Sequence, residues 1–259
     1  MKISVFGLGY VGTVSAGCLA SSGHTVWGVD VNPDKVASIN SGAAPIVEPE
    51  ISEFIAKAQK QGLLKATVSS AEGIQNTEVS FICVGTPSQA NGSLDLTHMK
   101  RVCEDIGLAL RDKKTPHTVV FRSTTLPGTT EDVAIPILEK HSGKTVGNGL
   151  FVCYNPEFLR EGTSVKDYYH PPKIVIGERL AGELEAAGIG RVQAGEHVEE
   201  RGLARAIGAD EAVDLAAADG EVHPAQGLHA AEAPGDAGGA QQHVVAQWHL
   251  VTGRDREST

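Results

Sequence analysis

The sequence predicts an α/β protein built on a doubly wound parallel sheet, followed by a poorly packed tail rich in Ala, Gly and Glu. Three features carry that expectation. Short apolar runs alternate with helical segments, as strands buried on both faces require. A glycine-rich turn joins the first run to the first helical segment. The second run ends on an acid, Asp30.

The elements follow in order. Residues 2–6 (KISVF) read as a buried strand, and 11–22 as a small-residue helix able to pack closely on it. Residues 25–30 (TVWGVD) form a second strand, and Pro33 opens a helix near its first turn. Residues 52–62 are helical in pattern, with Gly62 as the stop. Residues 79–84 (VSFICV) make a further strand, ending at Gly85-Thr86-Pro87. The segment 95–111 is an amphipathic helix and 118–122 (TVVFR) a strand. Residues 129–140 form a helix interrupted or restarted at Pro136. Strands at 151–154 (FVCY) and 174–177 (IVIG) close the set, and no internal repeat is present.

The chain's 259 residues allow one or two domains, and its net charge is −10. That charge is unevenly placed. Residues 1–178 hold 16 Lys and Arg against 18 Asp and Glu, whereas 179–259 hold 6 Arg and no Lys against 14 acids. Neither part has the basic footprint of a nucleic-acid binder. Cys18, Cys83, Cys103 and Cys153 are scattered, with no CxxC pair and no His at ligand spacing. This argues against a disulfide framework or a metal site and for a reducing cytoplasm. No apolar run reaches the roughly 18 residues of a membrane span, so no membrane partner is expected. Ala16-Gly17-Cys18 imitates a secretory or lipoprotein cleavage site. The glycine spacing just before it has a better explanation.

Gly7-Leu8-Gly9-Tyr10-Val11-Gly12 matches GxGxxG between a strand and a helix. Gly7 permits the tight turn, Gly9 lets a pyrophosphate approach the backbone, and Gly12 permits close helix–sheet packing. The helix start then offers unpaired N–H groups to the phosphates. Asp30, 18 residues after Gly12, ends the second strand where an acid bonds both ribose hydroxyls. An acid there repels a 2′-phosphate, so the cofactor expected is NAD. Lys35 either reaches the same ribose or is an exposed helix lysine. Thr86 and Thr124 follow apolar strands at the edge where open α/β sheets bind ligands, and either serves a ligand or ends a strand. Glu157 and Glu161, four apart beside Arg160, share a face if this stretch is a helical turn; otherwise they decorate a surface turn. A carboxylate at the mouth of such a site can orient a water or act as general base.

FGLGYVG (6–12), GVDV (28–31), PIVEP (45–49), FICVGTP (81–87), RSTTLPGT (122–129) and YNPEFLREG (154–162) together resemble the UDP-glucose/GDP-mannose dehydrogenase family. They do so in order across residues 1 to 178, with the 122–129 segment nearer the GDP-mannose branch than the UDP-glucose branch. The resemblance implies a Rossmann domain and a four-electron oxidation of a nucleotide sugar with two NAD. In that chemistry a cysteine captures the aldehyde, and a thioester is hydrolysed to the uronic acid. It also implies that Tyr10, Val11, Asp30, Lys35, Thr86 and Thr124 contact NAD. Glu161 would lie on the substrate side, and Thr124 with Glu157 would position the hydrolytic water.

The family's GGSC-type nucleophile motif, dimer-building helix and second Rossmann-like domain have no counterpart in this sequence. Cys153, inside a strand, reads as a buried structural thiol. The expectation is therefore a truncated dehydrogenase that binds NAD without turnover, or a pure NAD-binding module. Residues 179–259 contain 18 Ala and 12 Gly, and 75 of the 81 belong to types whose codons begin with G or C. That bias suits out-of-frame translation of a GC-rich gene; the alternative is a genuine acidic tail. In either case large apolar residues are too few to offset chain entropy.

Overall fold

Strand β1 (Lys2–Phe6) passes through a three-residue turn into helix α1 (Tyr10–Ser21), and β2 (Thr25–Val29) follows. Next come α2 (Pro33–Asn40), α3 (Ile51–Lys60), β3 (Leu64–Thr67), α4 (Ser70–Gln75), β4 (Val79–Ile82) and α5 (Thr97–Leu110). After β5 (His117–Phe121), a π-helical segment (Thr129–Ala134) leads into α6 (Ile135–Ser142). The rest comprises β6 (Thr145–Val146), β7 (Gly149–Tyr154), α7 (Ser164–Tyr169), β8 (Lys173–Glu178) and β9 (Gln242–Gln247). The computed structural model describes residues 1–178 and 242–247. Among them one sheet runs in the order β3-β2-β1-β4-β5-β7-β8-β9, with β6 paired beside β7.

The pairings from β3 through β7 are parallel, which makes this the expected doubly wound sheet. One pairing departs from it: β8 lies antiparallel to β7, because the chain doubles back through a loop and the short α7. Strand β9 then runs parallel to β8. The reading of 179–259 as out-of-frame or irregular sequence otherwise falls outside the described residues.

Both faces of the sheet are covered. On one, Val14 and Leu19 of α1 meet Ile51 and Ile55 of α3 over Ile3, Val5 and Phe81. On the other, Ile74, Met99, Ile106 and Leu138 of α4, α5 and α6 cover Phe6, Ile82 and Phe121. Each such large side chain contributes roughly 1.5–3 kcal/mol by leaving water. Pro136 does restart a helix. It stands in the first turn of α6, where its missing N–H costs nothing, and the π-helical turn precedes it.

Five short elements escape the sequence reading: β3, α4, β6, α7 and β9. Strand β3 (LKAT) has too few apolar residues to show a period, and β2 supplies its ladder. Helix α4 did carry a signal, the Ser69-x-x-Glu72 spacing, of which only the Ser69 half forms: its Oγ accepts from the Glu72 N–H at 3.2 Å, while the Glu72 carboxylate accepts from Thr67.

A chain of buried polar groups crosses the sheet near the amino ends of β4 and β5. The Lys113 ammonium donates to the carbonyls of Ile74 (2.6 Å) and Thr77 and to His117 Nδ1 (3.0 Å). His117 Nε2 then faces Ser80 Oγ at 2.7 Å, Ser80 faces Ser4 Oγ at 2.7 Å, and Ser4 faces Thr77 Oγ1 at 3.1 Å. Thr77 donates to the Gly73 carbonyl at 2.7 Å. With Lys113 charged and His117 neutral, the donors run in one direction and each link is satisfied.

Candidate functional site

The three glycines of the first turn face different demands. Gly7 has φ +92°, a left-handed conformation costly for other residues, and its N–H donates to the Val29 carbonyl at 2.8 Å. A Cβ on Gly12 would overlap the Gly7 carbonyl oxygen. Gly9 differs. Its backbone is extended (φ −78°, ψ −161°), open to any residue, and a Cβ there would meet nothing within 4 Å. Nothing among the described residues requires glycine at position 9. Its bare backbone faces open space at the start of α1, where no side chain caps the helix and no acid stands in the first turn. Those N–H groups and the positive dipole end are left for an anion.

Asp30 ends beside this turn, its side chain 9 % exposed. Oδ2 accepts the Leu8 N–H at 2.6 Å and Oδ1 the Asn32 N–H at 2.9 Å. The carboxylate thus orients the glycine loop as well as offering its remaining lone pairs outward. It does not cap α2; Asn32 does, accepting from the Asp34 N–H at 2.9 Å. Lys35 reaches Asp30, with Nζ 3.6 Å from Oδ2. Val31 and Val68, 86 % and 56 % exposed, stand just past the ends of the adjacent strands β2 and β3 and supply apolar surface there.

Thr86 and Thr124, far apart in sequence, meet: the Thr86 hydroxyl donates to the Thr124 carbonyl at 2.7 Å. Buried Ser123 adds a bond to the Val84 carbonyl at 2.6 Å, so the carboxyl ends of β4 and β5 are laced together. Tyr10 and Val11 open α1 directly above the glycine turn.

Of the two readings open for the segment carrying Glu157 and Glu161, the structure rules out the helical turn. Residues 155–160 form no helix, and 161–163 are a turn leading into α7, so the two carboxylates do not share a helical face. Glu157 bonds locally instead, its Oε2 accepting the Leu159 N–H at 2.6 Å. Arg160 turns away to buried Asp167, donating through Nε (3.0 Å), Nη2 (2.7 Å) and its backbone N–H (3.1 Å). That arginine, aided by the Thr163 hydroxyl, holds the Asp167 carboxyl well below the usual carboxylate range. Glu161 remains exposed.

Glu157 lines a cavity of about 20 Å3 with Arg122, Asn155 and Tyr168. This is room for about one water. Arg122 is 7 % exposed, its guanidinium 5.8 Å from the Phe81 ring centre and 5.7 Å from that of Tyr168. Nη1 donates to Asn155 Oδ1 at 2.8 Å, while the buried Nε–H finds no acceptor among the described residues. Arg122, Asn155, Asp167 and Glu48 all escaped the sequence reading of roles. Glu48, inside the PIVEP stretch, is buried and accepts from Tyr10 and from the Gly162 and Ser164 amides.

The cysteines offer no nucleophile. All four are buried. Burial pushes the thiols of Cys18, Cys83 and Cys103 up to about 12, and Cys153 is 2 % exposed within β7. A thiol must be a thiolate to attack. Among the described residues no group of three His, Cys, Asp or Glu could hold a metal, and no helix is long and apolar enough to cross a membrane.

A parallel sheet centred on β1, an open glycine turn at the head of α1 and an acid at the end of β2 define a dinucleotide-binding domain of the Rossmann class. More narrowly, the chain belongs to the UDP-glucose/GDP-mannose dehydrogenase family, whose NAD binding domain model matches residues 1–188. It is 54 % identical over 178 residues to the GDP-mannose 6-dehydrogenase of Azotobacter vinelandii, covering 69 % of this chain and 41 % of that one. Identity is 46 % over 177 residues to the UDP-glucose 6-dehydrogenase of Haloferax volcanii, covering 68 % and 41 %. A ternary-complex crystal structure of GDP-mannose dehydrogenase from Pseudomonas aeruginosa superposes with TM-score 0.70 at 50 % identity, over 72 % of this chain and 43 % of that one. The chain thus spans about two fifths of the length of the curated relatives it matches.

Proposed function

We propose that this chain is the NAD-holding part of a nucleotide-sugar 6-dehydrogenase of the GDP-mannose type, acting in the cytoplasm. The observation that carries the NAD part is Gly9, a glycine without an internal reason, beside an Asp30 carboxylate fixed by the same loop. The GDP-mannose assignment rests on the higher identity to that branch, 54 % against 46 %.

In this reading the Gly7–Gly12 backbone and the first N–H groups of α1, at Tyr10 and Val11, take the diphosphate. Asp30 accepts from the adenosine ribose hydroxyls with Lys35 alongside, and Val31 and Val68 flank the adenine. Thr86 and Thr124 hold the nicotinamide half along the strand ends. Bound NAD supplies a hydride acceptor; the protein binds it, orients it and shields it from water. Glu161 faces the nucleotide sugar. Glu157, which lines a space sized for about one water, and Thr124, past the end of β5, position the water for thioester hydrolysis.

A second reading, an NAD-binding module without catalysis, is favoured by the burial of all four cysteines. Calorimetric titration of the purified chain with NAD, then with GDP-mannose and UDP-glucose, separates the two. NAD binding that weakens tenfold or more in Asp30→Ala is expected, since a hydrogen bond to a charged group contributes about 1.5–3 kcal/mol. Binding of a sugar nucleotide favours the dehydrogenase reading, and its absence the module. Conversion of either sugar nucleotide to the uronic acid is not expected from this chain, because no cysteine in it can capture the aldehyde that the first hydride transfer leaves. Sustained turnover would overthrow that thiol argument.

A further inference from the structure

We propose that Glu48 is a positioning residue: its carboxylate clasps the loop bearing Glu157 and Glu161 to the helix that receives the dinucleotide, so that ordering one half of the site orders the other. This rests on the reading of α1 as the NAD-binding helix. Glu48 lies in the irregular stretch between α2 and α3 and belongs to no ladder. It is 7 % exposed, whereas its neighbour Val47 is wholly exposed, so the chain has turned the acid inward and the apolar side chain outward. Two residues on, Glu50 adopts φ +66°, the one left-handed non-glycine among the described residues. The segment accepts a strained backbone to hold this arrangement.

The carboxylate is met on both oxygens. Oε1 accepts the Ser164 N–H at 3.0 Å and the Ser164 hydroxyl at 2.8 Å. Oε2 accepts the Gly162 N–H at 3.0 Å and the Tyr10 hydroxyl at 3.0 Å. A carboxylate has about four acceptor positions, and four donors use them. Burial works to raise its pKa, but these bonds outweigh it, and the group sits below its ordinary value. The Tyr10 hydroxyl also lies 3.2 Å from the Arg160 carbonyl. Among the described residues, the hydrogen bonds joining 156–163 to α1 and the segment before α3 run through Glu48 and Tyr10 alone. The loop's other bonds are local, from Leu159 to Glu157 and from Arg160 and Thr163 to Asp167. Tyr10 is the first residue of α1, adjacent to Gly9. The clasp therefore joins the helix that follows the diphosphate cradle to the loop of the two glutamates.

Glu48→Gln keeps the shape and removes one acceptor, turning an N–H pair toward groups that themselves donate. The test measures NAD affinity by calorimetry and amide hydrogen exchange over 160–166 in the full 259-residue chain. In the wild type, saturating NAD is expected to slow exchange at Gly162 and Ser164, because linkage is reciprocal. Glu48→Gln is expected to weaken NAD fivefold or more and to abolish that protection. Tyr10→Phe, which leaves the acid intact, is expected to weaken NAD about threefold, and the double variant to lose little beyond Glu48→Gln, as one shared interaction requires. A lower melting temperature with unchanged NAD affinity and unchanged loop protection would make Glu48 merely structural and overturn the clasp. Should Glu48→Gln fail to fold, Tyr10→Phe decides alone, and wild-type affinity and protection in it overturn the proposal. Absence of NAD binding in the wild type itself sinks the NAD reading and this inference together, an outcome distinct from any of these.

Discussion

Gly9→Ala is expected to leave folding stability within about 1 kcal/mol of wild type, the range of a helix N-cap exchange, while weakening NAD binding tenfold or more. Gly12→Ala is expected to damage both. The contrast follows from the surroundings of each Cβ. At Gly9 the new methyl enters open space with allowed dihedrals, so only a ligand arriving against the backbone meets it. At Gly12 it collides with the Gly7 carbonyl inside the turn, and α1 must move off β1. Such overpacking costs about 1–3 kcal/mol or more. Urea unfolding and calorimetry on both variants check this. Should Gly9→Ala bind NAD as wild type does, the opening at that glycine is not where the diphosphate sits. Should it unfold the domain, the surroundings described for that position are incorrect.

Acidification from pH 6.5 to pH 4 is expected to remove about 3 kcal/mol of folding stability through His117 alone, since each pH unit over which one state binds an extra proton is worth about 1.4 kcal/mol. Burial, with Lys113 beside it, pulls the folded His117 down to about 3. In the unfolded chain it titrates near its ordinary value of about 6.5. Between those values only the unfolded state takes up the proton. The contribution is therefore complete above pH 6.5 and lost as the pH falls toward 3. Lys113, pulled by burial to about 8, is charged in both states throughout this window and adds no slope there. Asp167 and Glu48, both held below their ordinary values, add losses in the same direction, but only in the lower carboxylate range. His117→Leu is expected to cost about 3–5 kcal/mol at pH 7, since it strands a buried ammonium and Ser80, and to flatten the slope between pH 4 and 6.5. Urea midpoints across pH for both proteins measure this. Parallel slopes would assign the acid sensitivity to other groups.

The division between what was legible and what was not runs along sequence distance. The glycine turn, Asp30 and the buried strands were readable because their meaning lies within about one βαβ unit: an apolar run marks a doubly covered strand, and fixed glycine offsets mark a turn against a phosphate. From these alone come the doubly wound sheet and the NAD expectation. The spacing of Glu157 and Glu161 left a helical turn and a surface turn both open, and the structure has no helix there. Pro156 precedes them, Glu157 bonds its own backbone neighbourhood, and Arg160 is drawn off by Asp167. Strand β3 carried too weak a pattern and exists because β2 offers a ladder.

The sequence by itself determined most of the strands and helices of residues 1–178, the NAD expectation carried by the glycine turn and Asp30, and the reading of Cys153 as a buried thiol. Tertiary structure alone decided that β8 runs antiparallel, that Thr86 meets Thr124, that Lys113 and His117 share a buried chain, and that Glu48 joins Tyr10 to Gly162 and Ser164. The reason is physical. A local pattern is dictated by the backbone's own period, whereas Glu48 finds partners 38, 114 and 116 residues away, and only the folded sheet brings them within reach of one carboxylate.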